Sequence, residues 1–168
     1  MVVAKTNECH LLLSEMLQKH TIQRIYRAFV YGIPKLPFGK IETYMAKDKN
    51  NRLRMQVRDV SGVKAVTHYS LVETFYDTYS LMEFELETGR THQIRVHMEH
   101  LKMPIIGDKV YGKRQNFSLR KLPEDIMQNI KKLHRHALHS YKINFMHPIT
   151  GGEITRICEM PEDMLRLY

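Results

Sequence analysis

Apolar and polar positions change period several times along the chain, and each change marks an element. Leu12, Leu13, Met16 and Leu17 recur at helical spacing over residues 7–19, with Thr6 placed to cap them, which predicts an amphipathic helix. Residues 22–31 are short, rich in β-branched and aromatic side chains and closed by Gly32 and Pro34, as a strand would be. Met82, Phe84 and Leu86 alternate with Glu83, Glu85 and Glu87, a period of two that buries one face and wets the other. The turn Tyr76-Asp77-Thr78-Tyr79 joins this strand to a preceding one over residues 65–75. After Thr88-Gly89 the period becomes helical at Ile94, Met98 and Leu101, until Pro104 prevents continuation. Residues 138–145 and 153–158 flank a turn-like His147-Pro148-Ile149-Thr150-Gly151-Gly152 and predict a final hairpin. Strands and a few helices without strict β-α-β alternation predict an α+β domain whose sheet is mixed and largely antiparallel.

Length and composition agree with one unit. The 168 residues are 43% hydrophobic, enough for a core, which excludes wholesale disorder. No apolar run approaches the roughly 18 residues of a membrane span, and Met1-Val2-Val3-Ala4-Lys5 is too short for a signal peptide, so a soluble, cytoplasmic chain is expected. Cys9 and Cys158 lie near opposite ends with no second cysteine close by, which excludes a disulfide framework or a zinc ribbon. Charge adds a partner class. Lys and Arg number 26 against 18 Asp and Glu, a net +8 that favours a polyanion. Two stretches concentrate it: Lys47, Lys49, Arg52, Arg54 and Arg58 against Asp48 alone, and Lys109, Lys113, Arg114, Arg120 and Lys121 with no acid between them. Each reads either as a solvated loop or as a groove that tracks phosphates.

Four segments bear on chemistry. His92, His97 and His100 sit near one helix, and His134, His136 and His139 cluster later, but gaps of five and three do not give the i, i+4 pair of a zinc helix. In Thr88-Gly89-Arg90-Thr91-His92-Gln93-Ile94-Arg95-Val96-His97, a glycine ahead of a helix start with two arginines suits an anionic ligand, since free backbone N–H groups gather there. In Arg24-Ile25-Tyr26-Arg27, a tyrosine flanked by arginines on a strand can stack on an unpaired base while the cations meet phosphate. Pro104-Ile105-Ile106-Gly107-Asp108-Lys109-Val110-Tyr111-Gly112 reads as a structural turn whose Asp caps backbone donors.

Residues 24–32, 88–97 and 104–112, with Arg135-His136-Ala137-Leu138-His139, Phe145-Met146-His147-Pro148 and Thr150-Gly151, resemble the RluA-type RNA pseudouridine synthases, a group that includes ribosomal large-subunit enzymes. Their order and spacing match from Met1 almost to Tyr168, and the T-G-R-T-H-Q-I-R-V-H string is specific; Lys102 stands where the family usually has Gly. The resemblance implies conversion of uridine in RNA, ribosomal RNA above all, to pseudouridine without a cofactor. It implies that Tyr26 packs against the target base and acts in proton transfer at C5, and that Arg95 pairs with a catalytic Asp. Arg90, Lys47, Lys49, Arg52 and Arg54 are the candidates for the RNA-binding surface, with no metal and no membrane involved.

One departure is at the start. The family's H-R-L-D-x-x-T-S-G segment, which holds the catalytic Asp, does not occur in these residues, and none of Asp48, Asp59, Asp77, Asp108, Asp125 or Asp163 stands in an R-L-D context. The chain is therefore expected to be a C-terminal portion of the catalytic domain, truncated before that Asp and inactive alone. The alternatives are an RNA-binding module without isomerase activity, or a site completed by another chain. A sheet edge left unpaired would also invite self-association.

Overall fold

Thr6 caps the first helix as its position predicts, its Oγ1 accepting from the Cys9 N–H at 3.2 Å. In the computed structural model, which describes residues 2–49, 51, 53–112 and 122–168, the elements run α1 (Asn7–Gln18), β1 (Gln23–Tyr31), β2 (Phe38–Lys47), β3 (Met55–Arg58), β4 (Val63–Phe75), β5 (Tyr79–Leu86), α2 (Gln93–His100), α3 (Glu124–Lys132), β6 (Leu138–Met146), β7 (Glu153–Ile157) and α4 (Glu162–Leu165). The strands form one sheet of seven in the order β3-β2-β4-β5-β1-β6-β7. The α+β class holds, and among the described residues every strand pairing is antiparallel. Short returns between β2 and β3, β4 and β5, and β6 and β7 account for three of the six pairings, because tight turns join only antiparallel neighbours.

Part of the basic stretch is strand rather than free loop. Lys47 ends β2 opposite Met55, and Met55–Arg58 returns alongside it as β3. The alternation Ile41, Thr43, Met45 along β2 is the signal for this hairpin, with Ile41 and Met45 both buried. Arg52 and Lys113, Arg114, Arg120 and Lys121 lie outside the described residues.

Register places the elements of interest on one side of the sheet. Tyr26 is opposite Phe84, Phe84 opposite Tyr69, and two residues further along these strands Leu86 is opposite Thr67. Side chains two apart share a face, so Tyr26, Phe84, Leu86 and Thr67 point to the side on which α2 is seated by the contact of His97 with Thr67. The opposite face divides in two. At one end Phe29, Phe75 and Tyr79 form an aromatic cluster with Tyr168, closed by the Tyr79 hydroxyl donating to the Leu167 carbonyl at 2.6 Å. At the other end stand Glu83, Glu85 and Glu87, the wet face of the alternation.

Helix α2 ends on a left-handed residue. Lys102 has φ +63°, its N–H donates to the Glu99 carbonyl, and the Met103 N–H reaches back to Met98 at 2.8 Å, a Schellman closure. A side chain pays for φ > 0 at this exposed site, so Lys102→Gly is expected to raise stability by about 1 kcal/mol, seen as a higher denaturation midpoint. A lower midpoint would mean that Lys102 makes a contact outweighing its backbone strain.

Candidate active site

The loop entering α2 is held by one amide. Gln93 is buried, and its Oε1 accepts from the Thr88 hydroxyl at 2.7 Å and the Arg90 N–H at 2.9 Å. Its Nε2 donates to the Val66 carbonyl at 3.0 Å and the Thr67 hydroxyl at 2.9 Å, while Thr88 Oγ1 accepts from the Val66 N–H at 2.8 Å. Both ends of the amide are satisfied, and the loop is stitched to β4. The Arg90 N–H is thereby taken up by Gln93, and His92, at the N-cap of α2 with φ +59°, makes no side-chain cap.

One turn further on, His97 lies between two hydroxyls, Nδ1 at 2.9 Å from Thr67 Oγ1 and Nε2 at 3.0 Å from Thr43 Oγ1. A neutral imidazole, one donor and one acceptor, is satisfied there in either tautomer. Burial, and then the charge of His100, push its pKa down to about 4 from 6.5. A group favoured neutral in the fold contributes stability that is whole above about pH 6.5 and is lost as pH falls through about 4; the displacement corresponds to about 3 kcal/mol. Urea midpoints of the parent are expected to fall across that window much more steeply than those of His97→Gln. Parallel pH dependences for the two chains would refute this.

Arg95 projects sideways from α2 and meets Asp108, whose side chain is 1% exposed. Nε donates to Oδ2 at 2.7 Å and Nη2 to Oδ1 at 2.9 Å, a two-pronged pair. Asp108 Oδ1 also accepts from the Val110 and Tyr111 N–H groups, the turn-capping role read from its position. Burial pushes the Asp108 carboxyl up, but Arg95 and these amides outweigh it and hold the group below its ordinary value. The Tyr111 ring lies under two guanidiniums, Arg95 at 4.8 Å and Arg54 at 5.2 Å from its centroid, and its hydroxyl accepts from the Met55 N–H and lies 3.0 Å from His92 Nδ1. Burial and then the nearby Arg95 charge lower the pKa of both His92 and His136, which keeps neutral imidazoles around this pair.

Tyr26 stands half-buried on β1, at a point where β6 bulges: Ile25 faces Lys142 and Tyr26 faces Ser140, leaving Tyr141 as the extra residue. Such a bulge re-aims neighbouring side chains. Arg24, on the same face, reaches the T-G-R loop, and a Cβ on Gly89 would stand 2.7 Å from its Nη1. Arg24 thus brings the Tyr26 strand against the loop that leads to Arg95. The surface candidates divide. Lys47, Lys49 and Arg90 are exposed, Arg90 with its Nε on the Lys64 carbonyl at 3.0 Å. Arg54 turns inward to an ion pair with Glu99, a side chain 18% exposed. Asp108 as partner of Arg95 and the seat of Arg24 on Gly89 were not legible in the sequence, because both join segments far apart in the chain or on different elements. Among the described residues no group of three or more His, Cys, Asp or Glu is placed to hold a metal ion, and no helix is long and apolar enough to cross a membrane.

Residues 1–100 match the family described as RNA pseudouridylate synthase. The chain is 43% identical over 169 residues to "Ribosomal large subunit pseudouridine synthase D" of Neisseria meningitidis serogroup B, covering 99% of this chain and 43% of that protein. It is 40% identical to the protein of the same name from Zymomonas mobilis, covering 100% and 51%, and 36% identical to "RNA pseudouridine synthase 2, chloroplastic" of Arabidopsis thaliana, covering 99% and 42%. The chain therefore spans about half the length of these curated relatives, or less. Among solved structures, Human RNA Pseudouridylate Synthase Domain Containing 4 superposes with a TM-score of 0.75 at 19% identity, over 99% of this chain and 69% of that one, a likeness of fold. With the family pattern matched over its first hundred residues and the same fold in that neighbour, the chain belongs to the RNA pseudouridine synthase family, of the RluA type.

Proposed function

We propose that these residues form the uridine-cradling part of an RNA pseudouridine synthase acting on large-subunit ribosomal RNA, and that turnover requires a carboxylate from the H-R-L-D-x-x-T-S-G segment that they do not include. The observation that carries this is the convergence on one sheet face of the Tyr26 strand and the Thr88–His97 loop and helix, joined where Arg24 meets Gly89. The relatives' names supply the substrate class, and the net +8 suits a polyanion.

The reaction is an isomerisation. The C1′–N1 bond breaks, the uracil turns, C5 bonds to C1′, and the C5 proton leaves while N1 gains one. The incoming carboxylate engages the nucleotide, Tyr26 packs on the base and takes the C5 proton, and the target must first leave its stack, at a cost of a few kcal/mol that phosphate contacts offset. Arg95 spends Nε and one Nη2 hydrogen on Asp108, which leaves Nη1 to meet a second carboxylate. In this reading Asp108 is a positioning residue that aims Arg95. Exposed Arg90, Lys47 and Lys49 contact the strand's phosphates, in a cytoplasmic setting. Ile157 of edge strand β7 is 54% exposed, which supports self-association there; sedimentation independent of concentration would exclude it.

Tritium release from RNA labelled at uracil C5 tests the function. Product is expected when a peptide bearing the H-R-L-D-x-x-T-S-G segment is supplied, and none without it. Product from the chain alone would assign the work to one of its own acids. Binding of RNA and peptide with no release would leave an RNA-binding module and remove the isomerase reading.

A further inference from the structure

Arg27, Arg54, Arg95 and Arg135 each hold a carboxylate, from Glu83, Glu99, Asp108 and Asp163. Arg24 holds none. It is half-buried, and its Nε is shut away from solvent with no hydrogen-bond partner among the described residues. A buried Nε–H without an acceptor is costly, and on a side chain that holds no carboxylate it argues for a partner that arrives from outside. The seat is built for it: Gly89 has no side chain where Arg24 Nη1 lies, and any Cβ there would come within 2.7 Å of that nitrogen. Tyr26 stands two residues along the same strand on the same face, and exposed Arg90 follows Gly89 directly.

We propose that Arg24 grips a phosphodiester oxygen of the RNA strand beside the nucleotide that Tyr26 receives. This rests on the reading that the chain binds RNA, and it adds the residue that anchors the backbone next to the flipped base. A guanidinium fork matches phosphate geometry. Exposed Arg90, next to the glycine on which Arg24 is seated, sets a second cation beside it, which suits a polyanion better than a lone protein carboxylate.

The test is binding of a fluorescein-labelled, uridine-containing single-stranded RNA by the full chain across a KCl series. Parent binding should weaken with salt, and Arg24→Gln should flatten the slope of log K against log salt by about 0.7, the contribution of one single-strand phosphate. Its thermal midpoint should hold or rise, because a buried Nε–H without an acceptor is removed; a structural role would lower it. Arg24→Lys should keep the slope while binding more weakly. If Arg24→Gln fails to fold, Gly89→Ala serves instead, displacing the guanidinium without deleting its charge and weakening binding in the same way. One methylphosphonate linkage, scanned along the RNA, should weaken the parent and leave Arg24→Gln unaffected. RNA binding with an unchanged slope in Arg24→Gln would overturn the proposal alone and point to a protein carboxylate as partner. No binding by the parent at low salt would overturn the RNA reading as well.

Discussion

Asp108→Ala is expected to lower the stability of the chain by about 3–5 kcal/mol, measured as a shifted urea midpoint with an unchanged slope. The substitution leaves the Arg95 guanidinium, 12% exposed, with its charge uncompensated in a desolvated position. It also strips the Val110 and Tyr111 N–H groups of their acceptor, and Tyr111 carries the damage further because its ring meets Arg54 and its hydroxyl holds the start of β3. Asp108→Asn retains an acceptor for the turn and should fall between parent and alanine. The double variant Arg95→Met with Asp108→Ala should recover a large part of the loss, since no orphaned charge remains. The pair's contribution is present above the ordinary carboxylate range and disappears as pH falls through the lowered pKa of Asp108. An alanine variant within about 1 kcal/mol of the parent would show that water or a neighbour replaces the carboxylate at little cost.

The elements that were legible in the sequence are those whose signal is local. The Thr6 cap, the helix behind it and the Met82-Phe84-Leu86 alternation each depend on residues a few positions apart, and all stand where spacing puts them. The α1 helix nevertheless has no buried residue, because periodicity says which side is apolar and not whether anything covers it. The β2–β3 hairpin was hidden by charge: the basic stretch beginning at Lys47 drew attention away from a strand whose Ile41 and Met45 are core. Arg54 and Arg95 share the limitation from another direction. Sequence shows a cation, while its partner, Glu99 or Asp108, is chosen by tertiary packing across 45 or 13 residues. Family resemblance pointed to Tyr26 and Arg95 but not to the carboxylate that occupies two of Arg95's donors.

Tyr26→Phe is expected to lower turnover roughly 10²- to 10⁴-fold in the reconstituted tritium-release assay while changing RNA affinity little. The ring remains, so the surface proposed to pack on a base is kept; the hydroxyl proposed to take the C5 proton is gone. The loss should therefore sit in kcat, with KM nearly unchanged, the mark of an interaction made only in the transition state. Tyr69 provides the control. It lies on the same face, across Phe84 from Tyr26, but its hydroxyl is turned over Gly39, where a Cβ would meet it at 2.6 Å. Tyr69→Phe should keep its turnover, because a phenol aimed at β2 cannot reach a base held at β1. Ala28, next on the same face as Tyr26, is fully buried, and the β6 bulge lies opposite Tyr26. Full turnover in Tyr26→Phe would assign the C5 proton to another base, and the neutral imidazoles of His92 and His136 beside Arg95 would then be the groups to replace.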